Sequence, residues 1–246
     1  MFGAGLYTTT SVALGFTPNI AWTHTVSTAL RFTAFQLQLD ADDPLKYVYD
    51  EEVRDLTPFQ VTVDVLEDSG ELTQEQGLVY MSHLGPVFAS KDTPWTAQHA
   101  YTIRDVNFEN NRSNDQYIAM MQAKNVGELA DALARHQGVS FVNTIAVDRD
   151  GGAFYADMSA IPYVDKALLE DCRVKMDSPR MSRIFVLDGS RDNCNWKNSD
   201  QAAAPGIIPP KQQPRLSTRH YVSNSNDSHW LTSVEERLEG YSPIIG

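Results

Sequence analysis

The polar run Asn224-Ser225-Asn226-Asp227-Ser228, followed by Trp230, sets two carboxamides beside apolar residues. A rigidly held carboxamide can donate its N–H to an oxygen that gains negative charge as a carbonyl is attacked, an interaction worth about 3–4 kcal/mol to an enzyme that relies on it. The same composition suits an Asx-rich turn capping strands, and the residues alone leave both readings open. The histidines at 24, 83, 99, 136, 220 and 229 stand singly, as surface or packed side chains do; His24, between Thr23 and Thr25 in an apolar strand, reads as a hydrogen-bonded core residue rather than a base. Asp148-Arg149-Asp150-Gly151 opens like a calcium loop but lacks the later acids and the closing glutamate, which favours a hairpin turn. Cys172 and Cys194 are the only cysteines and cannot form a zinc site by themselves; they close a disulfide around a polar loop or remain reduced thiols. There is no G-x-S-x-G elbow, phosphate-cradling glycine loop or H-E-x-x-H pair, so nothing calls for a metal or cofactor.

Such groups need elements to hold them. SVALGF, IAWTHTVS and FTAFQLQL read as short apolar strands separated by Gly15, Thr17-Pro18-Asn19 and Ser27-Thr28. FQVTVDVLE alternates Val61, Val63 and Val65 with polar neighbours before the turn Asp68-Ser69-Gly70, so one hairpin face should be solvated. Residues 113–123 and 126–136 carry helical spacing, with Val126, Leu129, Leu133 and His136 on one side of the second helix. VSFVNTIAVDRDGGAFYADMSAI is a hairpin around residues 148–152. After Pro162 the pattern dissolves: residues 165–215, with both cysteines and AAAPGIIPPKQQP, read as an irregular excursion, and HYVSNSNDSHWLT returns with a short strand. Two strand blocks with helices between them predict an α+β domain over residues 1–246 with one irregular insertion.

With 42% hydrophobic and 21% charged residues, the 246-residue chain can bury a sizeable core. Its formal charge of -12 repels phosphate backbones and anionic head groups, which argues against nucleic acid and membrane surfaces as partners. No apolar run approaches the ~18 residues a spanning helix needs, and MFGAGLYTTT has no basic stretch of the kind that opens a signal peptide.

In order along the chain, GFTPNIAWTHTVST, ALRFTAFQLQL, LGPVF, AYTIRDVNFEN, RHQGVSFVNTIAVDRDGGAFYAD, YVSNSNDSHWLT and GYSPII resemble the beta chain of acyl-homoserine-lactone and aculeacin acylases, of the penicillin acylase family. The resemblance implies the αββα sandwich of the N-terminal nucleophile hydrolases, here incomplete. It also implies a hydrolase of linear amides whose serine is both nucleophile and, through its α-amino group, base. The positions matching the family's oxyanion donors are the backbone N–H of Val26 and the side-chain amide of Asn226; those matching the acyl pocket are Leu6, Thr9, Leu14, Phe141 and Val142. Phe141 stands where Trp is common, and Thr9 is more polar than usual, which leaves chain-length preference open. Ala29, Leu30 and Arg31 replace the family's calcium aspartates, so that site is expected to be absent. The resemblance favours the Cys172–Cys194 bridge and a periplasmic or secreted location. Only 25 residues precede Val26, fewer than separate it from the family's serine and accompanying histidine, and Met1 cannot replace that serine. The expectation is a fragment that needs the alpha chain and a missing nucleophile to act on a fatty-acyl amide. The alternative is a non-catalytic acyl-binding or structural product.

Overall fold

The computed structural model describes residues 1–5, 11–176, 178 and 184–246. These form two compact units: Met1–Arg31 with Val106–Lys166 and Trp196–Gly246, and Phe32–Asp105 with Ala167–Asn195. The first unit holds a six-stranded sheet built from β1 (Phe2–Ala4), β2 (Leu14–Phe16), β3 (Ile20–Val26), β11 (Val142–Asp148), β12 (Ala153–Ala156) and β14 (Arg215–Thr218), in that spatial order. Every pairing in it is antiparallel. Alternation along β3 and β11 sends Trp22 and Ala146 to one face and Thr25 and Asn143 to the other.

Helices α1 (Ser113–Gln122) and α2 (Val126–His136) cover the first face, where Trp22, Tyr117, Met120, Leu129, Leu133, Phe154 and Met158 are all buried. Full burial of such side chains contributes roughly 1.5–3 kcal/mol each. The start of α2 is fixed locally: the Asn125 side chain accepts the Glu128 N–H at 2.9 Å, while a Glu128 carboxylate oxygen accepts the Lys124 N–H at 3.0 Å. On the opposite face Tyr155, Leu216 and Leu238 form a second cluster with Ile145, Val222 and Tyr241.

Asp148 is spent on its own turn. Its carboxylate accepts N–H bonds from Asp150, Gly152 and Val126, which hold it below the usual carboxylate range. The hairpin expected at residues 148–152 thus forms between β11 and β12.

The second unit is a sheet ordered β6 (Glu52–Asp55), β5 (Lys46–Tyr49), β4 (Phe32–Leu39), β10 (His99–Asp105), β9 (Gly85–Phe88), β8 (Leu72–Ser82) and β7 (Thr57–Leu66). A further strand, β13 (Val186–Asp188), pairs in parallel with β4. The β7–β8 ribbon turns through Gly70 at φ 83°. Phe59 and Val63 on β7, and Leu72 and Leu78 on β8, are exposed, so the ribbon carries more open apolar surface than the expected single solvated face.

Residues 165–215 do not act as one excursion. Ala167–Asn195 joins the second unit and Trp196 onward joins the first, with α3 (Lys166–Cys172), β13 and β14 giving the segment regular structure. A disulfide links Cys172 to Cys194 across a separation of 22 residues. In the chain-entropy view a loop of that length contributes roughly 3 kcal/mol. Substituting both cysteines by serine should therefore lower stability by about that amount, read as a drop in the urea midpoint; an unmoved midpoint would refute it. The short strand expected within residues 220–232 is not formed: that stretch is loop with a single 3₁₀ turn, and the strand falls earlier, at β14.

Candidate active site

The last residue of β3 meets the polar loop from the far end of the chain. The Val26 N–H donates to Asn226 Oδ1 at 2.7 Å, across 200 residues of sequence. Val26 is 56% exposed and Asn226 is exposed too, so both face solvent. Asn226 holds a left-handed backbone, φ 64°, which asparagine tolerates better than most residues. Just before the neighbouring strand β11, Phe141 is also left-handed, φ 61°, and its carbonyl accepts the Ser27 N–H at 2.9 Å. A bulky side chain in that region stores backbone strain, and here the strain sits directly beside Val26.

As they stand, these two groups satisfy each other. For both to donate to one oxygen, the Asn226 carboxamide must turn about its last side-chain bond so that Nδ2 takes the place of Oδ1. That torsion is soft, and the turn gives up one hydrogen bond of about 1 kcal/mol. The pair can then serve as an oxyanion site, with donors fixed by β3 on one side and by the Asn224–Ser228 loop on the other.

The acyl-pocket positions are not gathered equally. Val142 pairs directly with Val26, and its side chain joins the helix-side core. Phe141 precedes it and is 42% exposed. Leu14, exposed on β2, lies one position beyond the Gly15–Trp22 pair and, by strand alternation, on the face opposite Trp22. Leu6 and Thr9 lie outside the described residues.

Sequence reasoning missed the groups beneath this site. Ser27 Oγ donates to Asp157 Oδ2 at 2.7 Å, so this hydroxyl has a carboxylate partner. Ser27 Oγ in turn accepts from the Ala29 N–H at 3.1 Å and from Arg31 Nη2 at 3.0 Å, which occupies both its lone pairs and disarms it as a nucleophile. Arg31 and Asp157 form a fully buried ion pair, 3.4 Å apart, and Arg31 Nη2 also reaches Ser159 Oγ at 2.9 Å. Burial pushes the Asp157 carboxyl up and the Arg31 guanidinium down, so desolvation outweighs their mutual attraction. A lone acid within AFYADMSAI, between buried apolar residues, was the available signal for a hidden cation.

His229 sits below the loop, 2% exposed, edge-on to Trp230 and Tyr241. Neither ring nitrogen has a hydrogen-bond partner among the described residues, and burial pushes its pKa down to about 4. Because the folded value lies below the unfolded 6.5, the unfolded chain takes up the proton first; stability is fully present above pH 6.5 and falls as pH drops toward 4. The loss reaches at most about 3 kcal/mol. His229→Leu should flatten that part of the stability-against-pH curve relative to the parent, and parallel curves would refute the assignment.

The sequence profile of the penicillin amidase family matches residues 1–243. The chain belongs to the penicillin amidase family. Among family members, the acyl-homoserine lactone acylase PvdQ of Pseudomonas putida is 40% identical over the whole of this chain, which covers 32% of that relative. The aculeacin-A acylase of Actinoplanes utahensis is also 40% identical, over 99% of this chain and 31% of its own length. The chain thus spans about a third of the length of these curated relatives. A thermostable penicillin G acylase from Alcaligenes faecalis superposes with a TM-score of 0.64 over 86% of this chain and 33% of that chain, at 18% identity. That likeness establishes the fold of this penicillin amidase family member as the α+β class expected from the sequence.

Proposed function

We propose that this chain is part of an amidohydrolase that cleaves the acyl amide of N-acyl-homoserine lactones or acylated lipopeptides, and that it supplies the oxyanion donors. The observation that carries this reading is the Val26–Asn226 contact at 2.7 Å, in a chain 40% identical to two acylases of those kinds. In this reading the alpha chain and the serine that heads the processed beta chain come from polypeptide outside these 246 residues, as the roughly threefold greater length of the two relatives suggests. The serine hydroxyl oxygen bonds to the amide carbon while its α-amino group takes the proton. The negative oxygen so formed accepts from the Val26 N–H and from Asn226 Nδ2, with the carboxamide turned as described. Collapse breaks the C–N bond, the amine leaves with the proton, and water then hydrolyses the acyl ester to the free acid.

The exposed apolar surfaces of Leu14 and Phe141 suit a fatty-acyl chain, and the family resemblance adds Val142, Leu6 and Thr9 as further candidate lining positions. The Cys172–Cys194 disulfide supports a periplasmic or secreted location, where such bonds persist. The open apolar surface of the β7–β8 ribbon suits coverage by the alpha chain. The test is release of free fatty acid from a long-chain acyl-homoserine lactone by the acylase assembled from its full precursor, compared with its Asn226→Ala form.

A further inference from the structure

Behind the two proposed donors lies a chain of side chains that reaches no substrate and is unassigned by the reading above, on which it rests. Tyr155, fully buried, donates its hydroxyl to Asn143 Oδ1 at 2.8 Å. Asn143, 1% exposed, shares its two Nδ2 protons among the Val26 carbonyl at 3.0 Å, Thr25 Oγ1 at 3.2 Å and Asn224 Oδ1 at 3.2 Å. Asn224 Oδ1 also accepts the Thr25 hydroxyl at 2.6 Å and the Asn226 backbone N–H at 3.1 Å. Its Nδ2 donates to the Asp227 carbonyl at 2.9 Å.

Val26 is therefore gripped by Asn143 at the carbonyl that follows its donor N–H, and the Asn226 backbone is gripped at its nitrogen by Asn224, which Asn143 and Thr25 hold in turn. The geometry points to Thr25, Asn143, Asn224 and Tyr155 as positioning residues that fix the distance between the two oxyanion donors. Three features support this over simple core packing. The network joins β3, β11, β12 and the polar loop at the one place where the proposed donors meet. Its acceptor Asn224 Oδ1 serves both sides of the site at once. The left-handed backbone of Asn226 is also tethered from outside the residue, by Asn224. Burial raises the Tyr155 hydroxyl far above its usual range, so it stays protonated and remains a donor.

The experiment is a double-mutant cycle in the acylase assembled from its full precursor, assayed with a long-chain acyl-homoserine lactone. Thr25→Val removes one hydroxyl and keeps the shape; it should lower kcat about five- to tenfold, the consequence of losing one aligning hydrogen bond, with KM within about twofold. Thr25→Ser keeps the hydroxyl and should retain kcat within about twofold of the parent. In the Asn226→Ala background Thr25→Val should have no further effect, because the group it aligns is gone. An equal drop in both backgrounds, or a kcat indifferent to Thr25→Val, overturns the positioning role while leaving the oxyanion reading intact. A kcat indifferent to Asn226→Ala overturns the oxyanion reading itself. If Thr25→Val fails to assemble, Tyr155→Phe carries the same cycle, with the same outcomes deciding it.

Discussion

Asn226→Ala is expected to lower kcat of the assembled acylase about 10²–10³-fold, equivalent to about 3–4 kcal/mol of transition-state stabilisation, with little change in KM. The split follows from where the charge appears. In the bound amide the carbonyl oxygen is only weakly negative, and in the free site the Val26 N–H is already satisfied by Asn226 Oδ1. The full negative charge exists only after attack, so a donor placed for it favours the transition state over the ground state. Alanine at φ 64° adds backbone strain of about 1 kcal/mol, which could lower activity by loosening the loop instead. Asn226→Gly separates the two causes, because glycine accepts that conformation freely. Both variants should lose activity to the same extent. If Asn226→Gly retains kcat within about threefold, a value far below the loss of a dedicated oxyanion donor, the carboxamide is not one.

How much of this was legible in the sequence follows from range. Elements set by local pattern read correctly: β3 and β4 from their apolar runs, α2 from its 3.6-residue spacing, and the 148–152 turn from its Asp and Gly residues. Strands β13 and β14 were missed because three or four residues show no period, and β13 depends on its parallel pairing with β4, some 150 positions earlier in the chain.

The site divides in the same way. Asn226 stood out because an Asn/Ser/Asp cluster is unusual, but its meeting with Val26 depends on sheet register and loop path across 200 residues, which composition does not encode. Asn143 sits in an apolar strand, and its role depends on Tyr155 and Asn224, which reach it from other parts of the sequence. The division into two units, with residues 165–215 shared between them, was likewise hidden, since proline and glycine mark irregular chain without saying which core it joins.

Asp157→Ala should destabilise the first unit by about 3–5 kcal/mol, more than any other single change considered, by leaving the Arg31 charge buried without its partner. Arg31 has 0% and Asp157 1% side-chain exposure, so neither can recover hydration without opening the fold. The cost is raised by two further nitrogens of Arg31, Nε and Nη1, which are buried with no hydrogen-bond partner among the described residues. Replacing the pair together gives a different result. Arg31→Met with Asp157→Leu removes both charges and keeps apolar volume, and should recover most of the loss, because desolvating two ions offsets much of what their attraction supplies. The comparison is made by urea unfolding of the protein and each variant at pH 7, followed by a signal from the buried Trp22. A loss below about 1 kcal/mol for Asp157→Ala would mean that water reaches Arg31 and that the pair is not a closed centre. The same pair bears on the site through Ser27, which follows Val26 in the chain and donates to Asp157 Oδ2. Asp157→Ala should therefore loosen the end of β3 as well, whereas the double replacement should restore stability more fully than activity, because it supplies no acceptor for the Ser27 hydroxyl.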